Sequence, residues 1–113
     1  MKYLLIITII LITFTSCSTK TSHSEFDFAN IMAKNELWKE ARMRWEKLIP
    51  VMPRSAKLHN NLAIVYEMMG EFKKAEKEYK TALKLSPNNS YIKSNYERFN
   101  KKGEKNVKKK NNK

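Results

Sequence analysis

Slid against itself by 34 residues, the chain lays like on like. Phe28 falls on Leu62, Ala29 on Ala63, Met32 on Tyr66, Trp38 on Phe72, Ala41 on Ala75, Trp45 on Tyr79, Leu48 on Ala82 and Pro53 on Pro87. Large residues stay large and small ones stay mostly small. The clearer copy is LAIVYEMMGEFKKAEKEYKTALKLSP, residues 62–87. Its apolar residues recur at helical intervals on both sides of Gly70, so it predicts two amphipathic helices joined by a short turn. Ala63 and Ala75 are small where the two helices cross, which lets the backbones approach, while Tyr66, Phe72 and Tyr79 fill the space around them. Gly70 permits the positive φ that closes a helix, and Pro87 cannot continue one.

A 34-residue helix-turn-helix period of this composition resembles the tetratricopeptide repeat. Residues 56–87 carry its pattern at Leu62, Ala63, Tyr66, Gly70, Phe72, Ala75, Tyr79, Ala82 and Pro87; residues 22–53 carry it at Ala29, Trp38, Ala41, Trp45 and Pro53, with Glu36 in place of the turn glycine and Leu48 where a small residue is usual. The fold expected is all-α, two such repeats and a C-terminal capping helix in a short solenoid, with the repeat domain over 24–100. Helices are predicted at 24–35, 37–49, 55–69, 72–85 and 89–100. Ser24 with Asp27 reads as an N-cap with an acidic residue at N3, and Pro53-Arg54-Ser55 as punctuation before the second unit. In the cap, 89–100, Ile92, Tyr96 and Phe99 are expected to cover the open end of the second repeat, as the ends of a solenoid require.

The two ends of the chain read differently. MKYLLIITIILITFTSC begins with one Lys, continues in an apolar run to Phe14 broken by Thr8 and Thr13, and closes on small polar residues before the chain's one Cys. That is the layout of a secretory signal over residues 1–16, and the run is shorter than the ~20 apolar residues of a permanent span. Phe14-Thr15-Ser16-Cys17 resembles the lipobox of bacterial lipoproteins, with Phe14 where Leu is most common. The resemblance implies that Cys17 is lipidated (palmitate or a related acyl chain) and becomes the mature N-terminus, with 17–23 as a flexible tether. Two or three acyl chains anchor a protein stably where a single chain binds reversibly. The net charge of +12 falls to +11 when Lys2 leaves with the signal. Much of it lies in KKGEKNVKKKNNK, seven Lys against Glu104, so residues 101–113 are expected to be disordered. That tail reads either as a solvated end or as an adhesive for anionic lipid headgroups or an acidic partner. Nucleic acid suits the basicity but not an exported chain.

Little in the sequence supports catalysis. His23 and His59 stand 36 apart with no Cys pair, so no metal site is expected. Two glycines leave no phosphate-cradling loop, and no cofactor is implied. His59 reads as a partly buried structural residue. Binding is better supported. In tetratricopeptide proteins the first helix of each repeat lines a concave groove that holds a partner's extended segment or helix. By position that resemblance puts Phe26, Asn30, Ala33 and Lys34 on the first wall. Lys57, Asn60, Asn61, Ile64, Glu67 and Met68 fall on the second, and Tyr91, Ser94 and Arg98 on the third. Asn61 reads equally as a ligand for a peptide backbone, since its amide both donates and accepts, and as a bond between repeats. Tyr91 and Asn95 stand where a carboxylate clamp would need cations, so no such clamp is expected.

The expectation is therefore a non-enzymatic adaptor or subunit with protein partners in the bacterial cell envelope. It would be lipid-anchored, on the periplasmic face of the outer membrane, as repeat lipoproteins of outer-membrane protein assembly or pilus assembly are. A cell-wall or small-ligand binding protein, or an accessory subunit of an envelope enzyme, is the alternative. The Phe14-Thr15-Ser16-Cys17 reading predicts that Cys17→Ala blocks both acylation and cleavage in the native host. Intact mass spectrometry checks it: an unmodified thiol, or residues 1–16 still attached to the wild-type chain, would retire the lipoprotein reading.

Overall fold

The computed structural model describes residues 21–111, and side chains as far as residue 103. Five helices follow one another with no strand among the described residues: α1 over 21–34, α2 over Trp38–Leu48, α3 over Ala56–Met68, α4 over Phe72–Leu85 and α5 over Ser90–Asn111. Connections are three to seven residues long, so each helix turns back on the one before it. α3 packs most extensively on α4, then α2 on α3 and α4 on α5. This is the all-α short repeat solenoid that the sequence predicts.

The 34-residue period governs backbone as well as side chains. Gly70 has φ +76°, its N–H reaches the Glu67 carbonyl at 3.1 Å, and the Glu71 N–H reaches the Tyr66 carbonyl at 2.8 Å. That pair of bonds is the Schellman closure, which satisfies two carbonyls left open at the end of α3. One period earlier Glu36 has φ +60°, with its own N–H on Ala33 at 3.0 Å and the Leu37 N–H on Met32 at 3.0 Å. The first turn thus keeps the glycine geometry without the glycine. Helix starts repeat too. Ser55 Oγ accepts from the Leu58 N–H at 3.2 Å, and 34 residues later Asn89 Oδ1 accepts from the Ile92 N–H at 3.1 Å, the N-cap bond of each helix.

A single apolar core runs through the stack. Ala29, Ala41, Ala63, Ala75 and Ala82 have no exposed surface, so the helices that carry them meet closely. Around them are buried Trp45, Leu48, Leu58, Leu62, Val65, Tyr66 and Tyr79. Ile92 is buried, and Tyr96 and Phe99 pack on Tyr79 at 5.9 and 5.3 Å between ring centroids, closing the second repeat from the α5 side. His59 is buried between two acceptors: Nε2 donates to the Pro53 carbonyl at 2.9 Å, and Nδ1 lies 2.5 Å from Glu78. It ties the α2–α3 loop to α4.

Several expectations are corrected. Residues 21–23, read as tether, are the first described turn of α1, and Ser24 lies inside that helix rather than capping it. The signal peptide and Cys17 lie outside the described residues. The backbone of α5 stays helical to Asn111, where a disordered tail from 101 was expected. Lys is a good helix former and, after Pro87, only Gly103 disfavours propagation. Phe72, expected in the core, is exposed at the first residue of α4 and meets Phe99 at 6.4 Å. Phe28, the counterpart of buried Leu62, is 42 % exposed. Leu62 has a preceding repeat to pack on. Phe28 carries the Arg44 guanidinium over its ring at 4.4 Å.

A left-handed backbone costs an ordinary L-residue about 1–2 kcal/mol and glycine almost nothing. Glu36→Gly is therefore expected to stabilise the protein by about 1 kcal/mol. At Gly70 an added Cβ would meet nothing within 4 Å, so Gly70→Ala should destabilise by a similar amount through the backbone alone. Thermal melts followed by circular dichroism check both, and the two shifts must have opposite signs.

Candidate functional site: a basic concave groove

α1, α3 and α5 lie on one side of the stack, and the space between them is a groove of about 680 Å³. Asn30, Ala33 and Lys34 come from α1, Lys57, Asn60, Asn61, Ile64 and Val65 from α3, and Asn89, Tyr91 and Ile92 from the start of α5. Trp38 and Trp45 of α2 complete the lining. Two cations and no carboxylate line this groove. Four asparagines, Asn30, Asn60, Asn61 and Asn89, supply amides, which can both donate to and accept from a bound backbone.

The amides are held in place. Asn61 Nδ2 donates to Asn30 Oδ1 at 3.0 Å, joining α3 to α1, and Asn95 Nδ2 donates to Asn60 Oδ1 at 3.1 Å, joining α5 to α3. Asn61 thus makes the bond between repeats and lines the groove as well. Lys57 Nζ sits 5.0 Å from the Phe26 ring centroid, a cation–π contact that holds the ammonium at the rim. Tyr91 is 65 % exposed, an aromatic surface with an unhindered face toward any occupant.

Of the residues predicted to form this groove, Asn30, Ala33, Lys34, Lys57, Asn60, Asn61, Ile64 and Tyr91 line it. Phe26 does not: it is buried in the core beside Trp45, with ring centroids 6.3 Å apart. One helical turn away from Asn30, it faces α2. Met68 is exposed at the last residue of α3, beyond the groove. Ser94 and Arg98 lie farther along α5, where with Glu97, Lys101 and Lys102 they line a separate shallow depression. Trp38, Trp45 and Ile92, read from sequence as packing residues, contribute walls.

Glu67 is the largest departure. It is not on a groove wall but 8 % exposed, and it gathers three donors. Tyr79 Oη donates to its Oε2 at 3.0 Å, Arg98 to the same oxygen at 3.2 Å, and Lys102 to Oε1 at 3.0 Å. A buried carboxylate needs such partners, and here they fasten α5 to α3 and α4. The sequence did hold a signal for this cluster. Arg98, Lys101, Lys102 and Lys105 are spaced three and four apart, which puts them on one helix face once α5 continues. A second network joins α2 to the second turn, with Tyr66 Oη donating to Glu46 at 2.6 Å and Arg42 to Glu71 at 2.8 Å. The Glu71 carboxyl is held below its ordinary range by Lys74 first, and then by Arg42.

Stacked helix hairpins with a concave amide-lined face define a short all-α repeat fold. Within it, residues 56–89 match the family model of the tetratricopeptide repeat, which spans α3, α4 and the turn into α5. Repeats of this family are interaction modules and generally not catalytic. No curated protein matches the chain.

Burial raises the pKa of both Tyr66 and Tyr79 well above the ordinary phenol value of about 10, with Glu46 opposing ionisation of the first and Glu67 of the second. A pKa raised on folding contributes stability that is complete below pH ~10 and is lost as pH climbs beyond it. The protein should therefore unfold in alkali. The 295-nm absorbance of these two phenolates should appear only together with the loss of helical ellipticity. Tyr66→Phe and Tyr79→Phe should each remove one late-ionising group, and an absorbance rise ahead of unfolding that either substitution removes would contradict the assignment.

Proposed function

We propose that this protein is a lipid-anchored adaptor of a bacterial envelope complex, tethered at Cys17 and holding a segment of a partner protein in the groove between α1, α3 and α5. The groove itself carries the reading. It is open, apolar at Ala33, Ile64 and Trp38, polar through asparagines, and cationic at Lys34 and Lys57, a surface suited to an extended chain or a helix with acidic groups. The tetratricopeptide match over residues 56–89 supports protein contact. The signal-like N-terminus, the Phe14-Thr15-Ser16-Cys17 motif and the absence of a second Cys in the sequence support export and anchoring. Outer-membrane protein assembly and pilus assembly are processes that use subunits of this kind.

The helices alternate in direction. The start of α1, the α2–α3 loop and the α4–α5 turn therefore share one end of the stack, and the turns at Glu36 and Gly70 share the other. Anchored just before α1, the protein would stand with that first end toward the membrane and the groove walls rising away from it. Full-length protein in detergent-solubilised envelope is expected to co-purify with a partner. Lys57→Glu and Tyr91→Ala should each reduce recovery at least fivefold, while Lys77→Glu on the outer face of α4 should leave it unchanged. Equal recovery with all three variants would refute the groove as the docking site, and recovery in the soluble rather than the membrane fraction would refute the anchor.

A further inference from the structure

The 34-residue period places the same three positions at each junction between units, and the two junctions are filled differently. At the second, Glu67 of α3, Tyr79 of α4 and Arg98 of α5 meet: the Tyr79 hydroxyl donates to Glu67 Oε2 at 3.0 Å, and Arg98 donates to the same oxygen at 3.2 Å. At the first, the corresponding residues are Ala33 of α1, Trp45 of α2 and Ile64 of α3. A methyl group stands in the place of the carboxylate and a branched alkyl group in the place of the guanidinium. All three residues line the groove.

The donor is kept without its acceptor. Trp45 is 2 % exposed, and its indole Nε1–H, the side chain's one polar group, has no hydrogen-bond partner among the described residues. An indole nitrogen can only donate, and a buried donor left unpaired is costly and uncommon. Tyr79, one period later, has Glu67. The positive charge beside Trp45 also goes unanswered. Lys34 and Lys57 line the groove, no carboxylate does, and neither lysine has an ion-pair partner among the described residues. Lys57 Nζ rests 5.0 Å from the centroid of Phe26, the ring that packs beside Trp45 at 6.3 Å.

We infer that the groove contains a subsite for a side-chain carboxylate of the partner segment, from Asp or Glu, which accepts from Trp45 Nε1 beside Ala33 and Ile64 and is balanced by Lys34 and Lys57. The partner thus supplies at the first junction the group that Glu67 supplies at the second. This deepens the adaptor reading and rests on it. Nε1 is covered, so the carboxylate reaches it as a side chain of the wall moves aside. Lys57 is suited to that movement: its stem is flexible, and its ammonium exchanges the cation–π contact on Phe26 for an ion pair. An apolar side chain in the same place leaves the indole N–H unpaired and brings nothing to the lysines, so the subsite discriminates against it.

The test uses full-length 15N-labelled protein in a neutral detergent and three pentapeptides with both ends blocked, four alanines around a central Glu, Gln or Leu. The indole N–H signals of Trp38 and Trp45 are assigned with Trp38→Phe and followed in titrations to about 20 mM peptide. The Glu peptide should move the Trp45 signal downfield and bind at least fivefold more tightly than the Leu peptide, with the Gln peptide between them. Trp45→Phe should abolish that preference and leave the Leu peptide's affinity unchanged. Because this substitution also removes packing volume, Ala33→Glu forms a second arm. It places within the chain the carboxylate that the first junction lacks, and should move the Trp45 signal downfield with no peptide present and weaken the Glu peptide at least fivefold. Equal affinities of the wild-type protein for the Glu and Leu peptides, or a Trp45 signal that the Glu peptide leaves in place, would overturn the subsite. Either result, with partner recovery still lost in Lys57→Glu and Tyr91→Ala, would overturn the subsite alone and leave the groove reading standing.

Discussion

Each helix hairpin of this protein depends on one residue whose backbone enters the left-handed region. Without the positive φ at Glu36 and at Gly70, α1 and α3 would end with unsatisfied carbonyls and no sharp reversal, and the second helix of each pair would not return along the first. The reversal brings Ala41 back toward Ala29 and Ala75 toward Ala63, none of which retains exposed surface. Close approach then lets the larger side chains interlock around the alanines. Gly70 adopts the conformation at almost no steric cost. Glu36 is held in it by the rest of the first repeat, with two backbone hydrogen bonds of 3.0 Å closing the turn around it. Local preference is overruled there by tertiary packing.

The same periodicity explains what could be read from the sequence. Ala63, Ala75, Tyr79, Gly70 and Pro87 recur with a spacing that only a repeated hairpin accounts for, and helix order, turn positions and the groove's walls follow from it. Asn30, Asn61, Ile64 and Tyr91 reach the groove because the first helix of each unit and the cap present the same face. Reading by position fails where a residue's neighbours are not those of an interior repeat. Phe26, read as groove wall, packs inward on Trp45, while Phe28, the counterpart of buried Leu62, stays exposed. Glu67 fails for another reason. Its position reads as groove wall, but three donors from α4 and α5 engage the carboxylate, a long-range arrangement with no signature inside α3.

Glu67 also connects the core to the surface. Its Oε2 accepts from the fully buried Tyr79, and Tyr79 is the ring on which Tyr96 and Phe99 pack. An unpartnered carboxylate at that depth would cost several kcal/mol, so Arg98 and Lys102 are required there for charge balance whatever else they do. The requirement fixes the rotation of α5 about its own axis.

The two ends of the stack are consequently unlike. At the α5 side Ile92 is buried, and an aromatic cluster with a carboxylate and two cations closes the second repeat. At the α1 side Phe28 and Ile31 remain 42 % and 49 % exposed, with only Arg44 over the first ring and the Arg44–Glu25 pair beside it. Surface ion pairs contribute less than about 1 kcal/mol, too little to offset an open apolar face in so short a solenoid. Solenoid units gain most of their stability from neighbours. α1, which carries these exposed apolar residues, is also the first wall of the groove, where Asn30 is held by Asn61 and Lys34 stands beside it. Any ligand that bound against that wall would add its binding free energy to the stability of the helix that carries it.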